Sequence, residues 1–268
     1  MFRVEIAKAL RRRQTWMLAL AIGAVPVVMV VALKLSPPST STAGDGPPFL
    51  DQVGRNGLFA ALAGLAIVQP VLLSVAAGLV TGDAIAGEAQ GGTLRYLLVR
   101  PVGRSRLVLA KYASAMVMLA ALVAITIVAG LVTGAIVFDL GPLPTLSGTT
   151  LSVTDAIGRI AGGGAYMTLV LSGVVSVGMF ITVRTDNAAG ATVAAVVITI
   201  ASQILDQIAS LRAIHAFLPT HGWRGFVGLF RFPVDWEPML GGARVSVAYT
   251  LVFMVLALLS FRRRDVMS

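Results

Sequence analysis

The sequence predicts an all-α integral membrane protein with six transmembrane helices, and three observations carry that prediction. Only 12% of the 268 residues are charged and the mean hydropathy is +0.88, whereas soluble domains average about 25% charged residues. Six apolar runs reach about 18 residues or more, enough for a helix to cross a hydrocarbon core of about 30 Å. The runs are continuous, without the alternating segments of about ten residues that mark a transmembrane β-barrel.

In FRVEIAKALRRRQTW, Phe2, Ile6, Ala9 and Leu10 fall at helical spacing, with Arg3, Lys8, Arg11 and Arg12 turned largely away. That is the pattern of an amphipathic N-terminal helix lying on a membrane surface, with Trp16 anchoring the turn into the first span. The first span, about 16–35, exceeds the h-region of a cleavable signal, about 7 to 15 residues, and is expected to be retained. Ser36–Asp51 is rich in proline, serine and glycine and reads as a loop. The second span, about 58–81, contains Gln69-Pro70 near its middle, where the missing N–H predicts a kink. Spans three and four, about 112–138 and 160–183, flank the loop DLGPLPTLSGTTLSVTD. The turn Arg184–Asn187 leads into span five, about 188–208. Ala209–Gly242 carries two histidines, two tryptophans and three prolines, and span six covers about 243–261. Residues 1–268 are thus expected to form a single transmembrane domain.

Six crossings put both termini on one side. Fourteen of the 21 basic residues lie on that side, within 1–13, 95–111, 184 and 262–264, against seven on the other. The positive-inside rule predicts that both termini are cytoplasmic. The net charge of +9 therefore reads as positive charge against an anionic membrane face, not as a nucleic-acid footprint.

Several chemistries find no support. With no cysteine in the chain, disulfides, thiolate nucleophiles and cysteine-ligated metals are excluded. The three lysines, Lys8, Lys34 and Lys111, follow alanine, leucine and alanine, so no GxxxxGK[ST] phosphate loop exists. Gly162–Gly164 reads as a site of close helix contact. No serine sits in a GxSxG elbow. His215 and His221 lack acids at metal-motif spacing and are expected to lie in a polar interfacial loop, so no metal ligand and no catalytic residue is assigned. Asp206, near the end of span five, is the candidate for a substrate pathway, together with Gln69 and Pro70, because an ionisable group in a bilayer is costly and faces a cavity or a partner. A solvated helix end, or a pairing with Arg212, is the plainer alternative for Asp206.

The segment GEAQGGTLRYLLVRPVGRSRLVLAKY, Gly87–Tyr112, lies between spans two and three and carries five basic residues. Leu94, Leu97 and Leu98 make a turn-scale apolar face, interrupted before by Gly91-Gly92 and stopped after by Arg100-Pro101. Glu88 is isolated among cations and has either one of them or a partner protein to pair with. Topology needs only positive charge here, not a punctuated amphipathic helix.

The pattern E-x-x-x-G-T-L-x-x-L-L-x-x-P-V-x-R, with a lysine opening the next span, resembles the cytoplasmic loop of ABC transporter permeases of the type-2 exporter family. It reads here as Glu88, Gly92, Thr93, Leu94, Leu97, Leu98, Pro101, Val102, Arg104 and Lys111. The terminal FRRRD is similar to that family's ending, and Ala209–Gly242 is similar in placement to its outer re-entrant helices. The resemblance implies a permease domain in a bacterial-type cytoplasmic membrane, with a cytoplasmic coupling helix between spans two and three. Its coupling residues are Glu88, Gly92, Thr93, Leu94, Leu97, Leu98, Pro101 and Arg104. It further implies two copies of a separate ABC ATP-binding subunit holding ATP and Mg, a second permease subunit, identical or paralogous, and outward movement of a hydrophobic or amphipathic substrate. No cofactor is expected in this chain itself. Two other classes compete: a secondary transporter or channel without an ATPase, whose ionisable groups usually sit at the midplane, and a polytopic membrane enzyme, which needs converging catalytic groups.

Overall fold

The computed structural model describes residues 2–35, 49–92 and 103–263. The short helix α1 (Phe2–Arg11) precedes the first crossing helix, α2 (Arg13–Leu35). The second, α3 (Phe59–Gly82), is followed by a single turn, α4 (Ala86–Gln90). The remaining crossing helices are α5 (Arg104–Val137), α6 (Val153–Arg184), α7 (Ala188–Gln207) and α9 (Glu237–Arg263); the one-turn helix α8 (Arg212–His215) follows α7. Among the described residues, six helices are thus long and apolar enough to cross a bilayer, where only internally satisfied backbone is tolerated.

Two helices run further than their apolar content suggests. With 34 and 32 residues, α5 and α6 measure about 51 and 48 Å at 1.5 Å per residue, well beyond a hydrocarbon core of about 30 Å. Hydropathy marks where the lipid ends; the helix continues to its cap. For α6 that cap is Ser152, whose Oγ accepts the Asp155 backbone N–H at 3.1 Å and donates to Asp155 Oδ2 at 2.6 Å. Asn187 caps α7 likewise, accepting from Gly190 N at 3.0 Å.

At the centre, α3 and α6 are mostly buried, whereas α2, α7 and α9 expose most of their apolar length. Leu20 and Val28 on α2, Ile136 on α5, Val193 on α7 and Leu251 on α9 face outward, as a lipid-facing shell requires. Small residues let backbones meet. A Cβ at Gly130 of α5 would lie 2.6 Å from the Ala61 Cα of α3, and side chains at Gly78 and Gly82 of α3 would collide with Val196 and Thr192 of α7. Gly164 sits against Ile127 of α5 in the same manner. Hydroxyls stitch α6 to α9: Ser176 Oγ donates to Tyr249 O at 3.1 Å, and Ser246 Oγ to Val170 O at 3.2 Å.

The expected kink in α3 takes the form of a π turn over Gln69–Leu73. Pro70 brings no N–H to the helix ladder, and its own carbonyl takes side-chain donors. Ser74 Oγ and Gln203 Nε2 of α7 each donate to Pro70 O at 2.9 Å. The irregularity is therefore filled by a side chain from a neighbouring helix.

On the side opposite the termini, connecting segments form a cap. Leu143–Pro144 pairs antiparallel with Thr150–Leu151, and Leu146 N donates to Phe230 O at 2.9 Å. Within 209–236 a 3-10 helix, Trp223–Phe230, buries Trp223, Phe226 and Phe230. Phe49 stacks on Phe59 at 5.8 Å between ring centres and meets Phe230 edge-on at 5.5 Å. Tyr166 of α6 donates its hydroxyl to Gly222 O at 2.6 Å. Gly222 has φ 81° and lies against Gly242, so both the left-handed turn and the close approach require glycine there.

Candidate functional site

Two polar clusters occupy opposite ends of the bundle. On the side of the termini, α4 turns Glu88 inward. Its carboxylate lies 2.7 Å from Lys8 Nζ of α1 and 2.8 Å from Lys111 Nζ of α5, and Lys111 also lies 3.2 Å from Glu5. Only 4% of the Glu88 side chain and 2% of the Lys111 side chain are exposed. Arg12 and Asp83 form a further ion pair alongside. Burial pushes the Glu88 carboxyl up, but the Lys111 charge and the hydrogen bonds from Lys111 and Lys8 outweigh it. The net effect holds the group below its ordinary value of 4.5.

This network forms one wall of a cavity of about 440 Å³, faced by Leu18, Leu79, Met118 and Leu122. It also sets the orientation of α1. Glu5, Lys8 and Arg12 point to the bundle, while Phe2 and Leu10 of the amphipathic stripe remain exposed. The turn from α1 to α2 is pinned by Thr15 Oγ1 to Ala9 O at 2.7 Å and Trp16 Nε1 to Leu10 O at 2.8 Å.

Of the proposed coupling residues, Thr93, Leu94, Leu97, Leu98 and Pro101 lie outside the described residues. The described ones anchor the two ends of that segment. Glu88 ties its start to α1 and α5, and Thr182 of α6 accepts from Ala86 N at 2.9 Å. Gly92 ends the turn at φ 66°. At the far end, Arg104 donates to the carbonyls of Arg262 at 3.1 Å and Phe261 at 3.4 Å, and Arg262 Nε returns a bond to Ser105 Oγ at 3.1 Å. Arg104 thus satisfies terminal carbonyls of α9.

At the opposite end, Gln69, Pro70 and Asp206 line a single polar cavity of about 650 Å³ between the π turn of α3, the end of α7 and the capping segment. Gln69 is 3% exposed, and its Nε2 has no hydrogen-bond partner among the described residues. Asp206 is joined to His221, Nδ1 to Oδ1 at 2.6 Å, with His215 Nδ1 at 3.8 Å. Among the described residues no ion pair links it to Arg212, the partner considered from sequence. Nor are the histidines simply spread along an interfacial loop. The turn Leu218–His221 folds back so that Thr220 Oγ1 meets Ser202 Oγ at 2.6 Å, and Ser202 shares a face with Asp206 one turn away on α7. The Asp206–His221 contact spans 15 residues, a spacing no local motif encodes. The available signal was two histidines six residues apart around a Leu-Pro turn, following a helix that ends in an acid.

Crossing helices, small-residue contacts and polar clusters held at the bundle ends define the class: an all-α, multi-pass integral membrane protein. More particularly, the chain belongs to the family described as "Protein of unknown function (DUF2705)", whose model matches residues 27–267. Over 110 residues, 41% of the chain, it is 36% identical to the "Probable ABC transporter permease protein NosY" of Pseudomonas aeruginosa. It is 33% identical over the same share to the protein of that name from Stutzerimonas stutzeri. The chain matches 35% of the length of each of these relatives.

Proposed function

We propose that this chain is the membrane-spanning permease subunit of an ATP-driven ABC exporter of the type-2 kind. The observation that carries the reading is its likeness to two proteins named as probable ABC transporter permeases, in a chain that has no phosphate loop of its own. Energy then enters through a separate ATP-binding subunit, present in two copies with ATP and Mg, and a second permease, identical or paralogous, completes the pathway. Both termini and the segment 88–104 face the cytoplasm, as the charge distribution favours.

The segment 88–104 is the lever. Closure of the ATPase pair pushes it, and the anchors at Glu88 and Arg104 pass the displacement to α1, α5 and α9. Coupling requires that the segment contact the two ATPase states differently. The substrate path includes Gln69, Pro70 and Asp206, and their polar cavity favours an amphipathic over a purely hydrophobic cargo. The test is co-purification of the wild-type chain and a Leu97→Asp variant with candidate ABC ATP-binding subunits from the same organism, followed by ATP hydrolysis in liposomes. The variant should insert in the membrane yet lose both association and stimulated hydrolysis. Normal binding and hydrolysis by the variant would refute the coupling role.

A further inference from the structure

We infer that Asp206, His215 and His221 form a binding site for one divalent transition-metal ion of the zinc type, on the side opposite the termini. The inference does not rest on the permease reading. One ligand atom from each residue lies within 4.8 Å of the others, and the three come from separate elements: the end of α7, the end of α8 and the turn after it. Imidazole and carboxylate suit borderline metals of the zinc type.

The hydrogen bonds prepare the donors. His215 Nε2 lies 3.1 Å from Ile208 O; a carbonyl only accepts, so Nε2 carries the hydrogen and the Nδ1 lone pair is free. That Nδ1 is the atom facing Asp206 Oδ1 at 3.8 Å. A ligating histidine whose other nitrogen donates to a backbone carbonyl is the usual outer support of a metal site. His221 Nδ1 donates to Asp206 Oδ1; on metal entry the neutral ring takes its other tautomer, the hydrogen leaving Nδ1 and a solvent proton arriving at Nε2, so that Nδ1 offers its lone pair with no net change of charge on the ring.

The fit needs small movements only. Metal–ligand bonds of about 2.0 to 2.2 Å in a tetrahedron set ligand atoms about 3.3 Å apart. The 2.6 Å contact must open and the 3.8 Å contact must close, each by less than 1 Å, and the two histidine nitrogens, within 4.8 Å of each other, must close by about 1.5 Å at most, on the order of a side-chain adjustment. The Ser202–Thr220 bond holds the turn in place while this happens. Asp206 and His221 both line the polar cavity, so the fourth position opens toward water or a polar group there, the arrangement of a three-ligand site with an open coordination position.

The experiment uses the full chain in detergent or nanodiscs, purified with a tag free of histidine and stripped with a chelator. Zn²⁺ binding is read by competition with a chromophoric chelator, and Co²⁺ binding by visible absorption. One Zn²⁺ per chain is expected, with the intense Co²⁺ spectrum of a tetrahedral nitrogen–oxygen set that Zn²⁺ abolishes. Outer-support residues alone typically cost about 10- to 100-fold in affinity. His215→Ala, His221→Ala and Asp206→Asn should therefore each weaken Zn²⁺ by about 100-fold or more. No stoichiometric Zn²⁺ binding to the wild type, a weak octahedral Co²⁺ spectrum, or unchanged affinity in the variants would each overturn the inference. The wild-type spectrum decides the matter even if a variant fails to fold.

Discussion

Glu88→Gln removes the negative charge that lies between Lys8 and Lys111. Lys111 is 2% exposed at its side chain, and removing one partner of a buried ion pair typically costs about 3 to 5 kcal/mol because the other charge is left uncompensated. Here Glu5 remains 3.2 Å from Lys111, which places the expected cost near the lower end, about 3 kcal/mol. The Lys8 contact adds little, since Lys8 is 44% exposed and such pairs contribute about 1 kcal/mol or less. For a chain of this size each kcal/mol shifts Tm by about 2 to 4 °C, so a drop of about 6 to 12 °C is expected. Thermal unfolding in a mild detergent, followed by helical circular dichroism, is the assay. Lys8→Ala should move Tm by a small fraction of that, and Glu88→Leu with Lys111→Met should recover most of the loss. Equal effects of Lys8→Ala and Glu88→Gln, or no recovery in the double variant, would refute the reasoning.

Because the Glu88 carboxyl is held below 4.5 in the folded chain, its stabilising contribution is fully present above that value and is lost as pH falls through the depressed folded value. A Tm–pH profile should therefore show an acid limb in the wild type that is shallower in Glu88→Gln. Gln203→Ala removes one of the two side-chain donors to Pro70 O and should cost about 1 kcal/mol, read by the same unfolding assay. Gly82→Leu forces a side chain into Thr192 of α7 and should destabilise by about 1 to 3 kcal/mol or more. Since the chain has no cysteine, single cysteines at Gly92 and Gln207 report sidedness cleanly: a membrane-impermeant maleimide applied to intact cells should label Gln207→Cys and spare Gly92→Cys.

The six crossings were legible because lipid imposes a length and an apolar composition that any 18-residue stretch either meets or fails. Helix ends were less so. The first turns of α5 and α6 are polar, and their starts at Arg104 and Val153 depend on caps and on contact with α9, not on hydropathy. Proline at position 70 announced an irregularity but not its form; the π turn is met by Gln203, 133 residues away, whose amide donates to the Pro70 carbonyl. Glu88 stood out as a lone acid among cations, yet its partner Lys8 is 80 residues distant. The Asp206–His215–His221 group was the least readable, since its assembly depends on the Ser202–Thr220 bond, a tertiary contact that lays the local Leu218–His221 turn back on α7.

The most direct test of ATP-driven export uses inside-out vesicles bearing the chain with and without the ABC ATPase that co-purifies with it. The reading expects accumulation of a fluorescent amphipathic substrate that needs ATP, needs the ATPase and is abolished by Leu97→Asp. Accumulation that persists without the ATPase and follows an imposed ion gradient would contradict it and identify a secondary transporter instead.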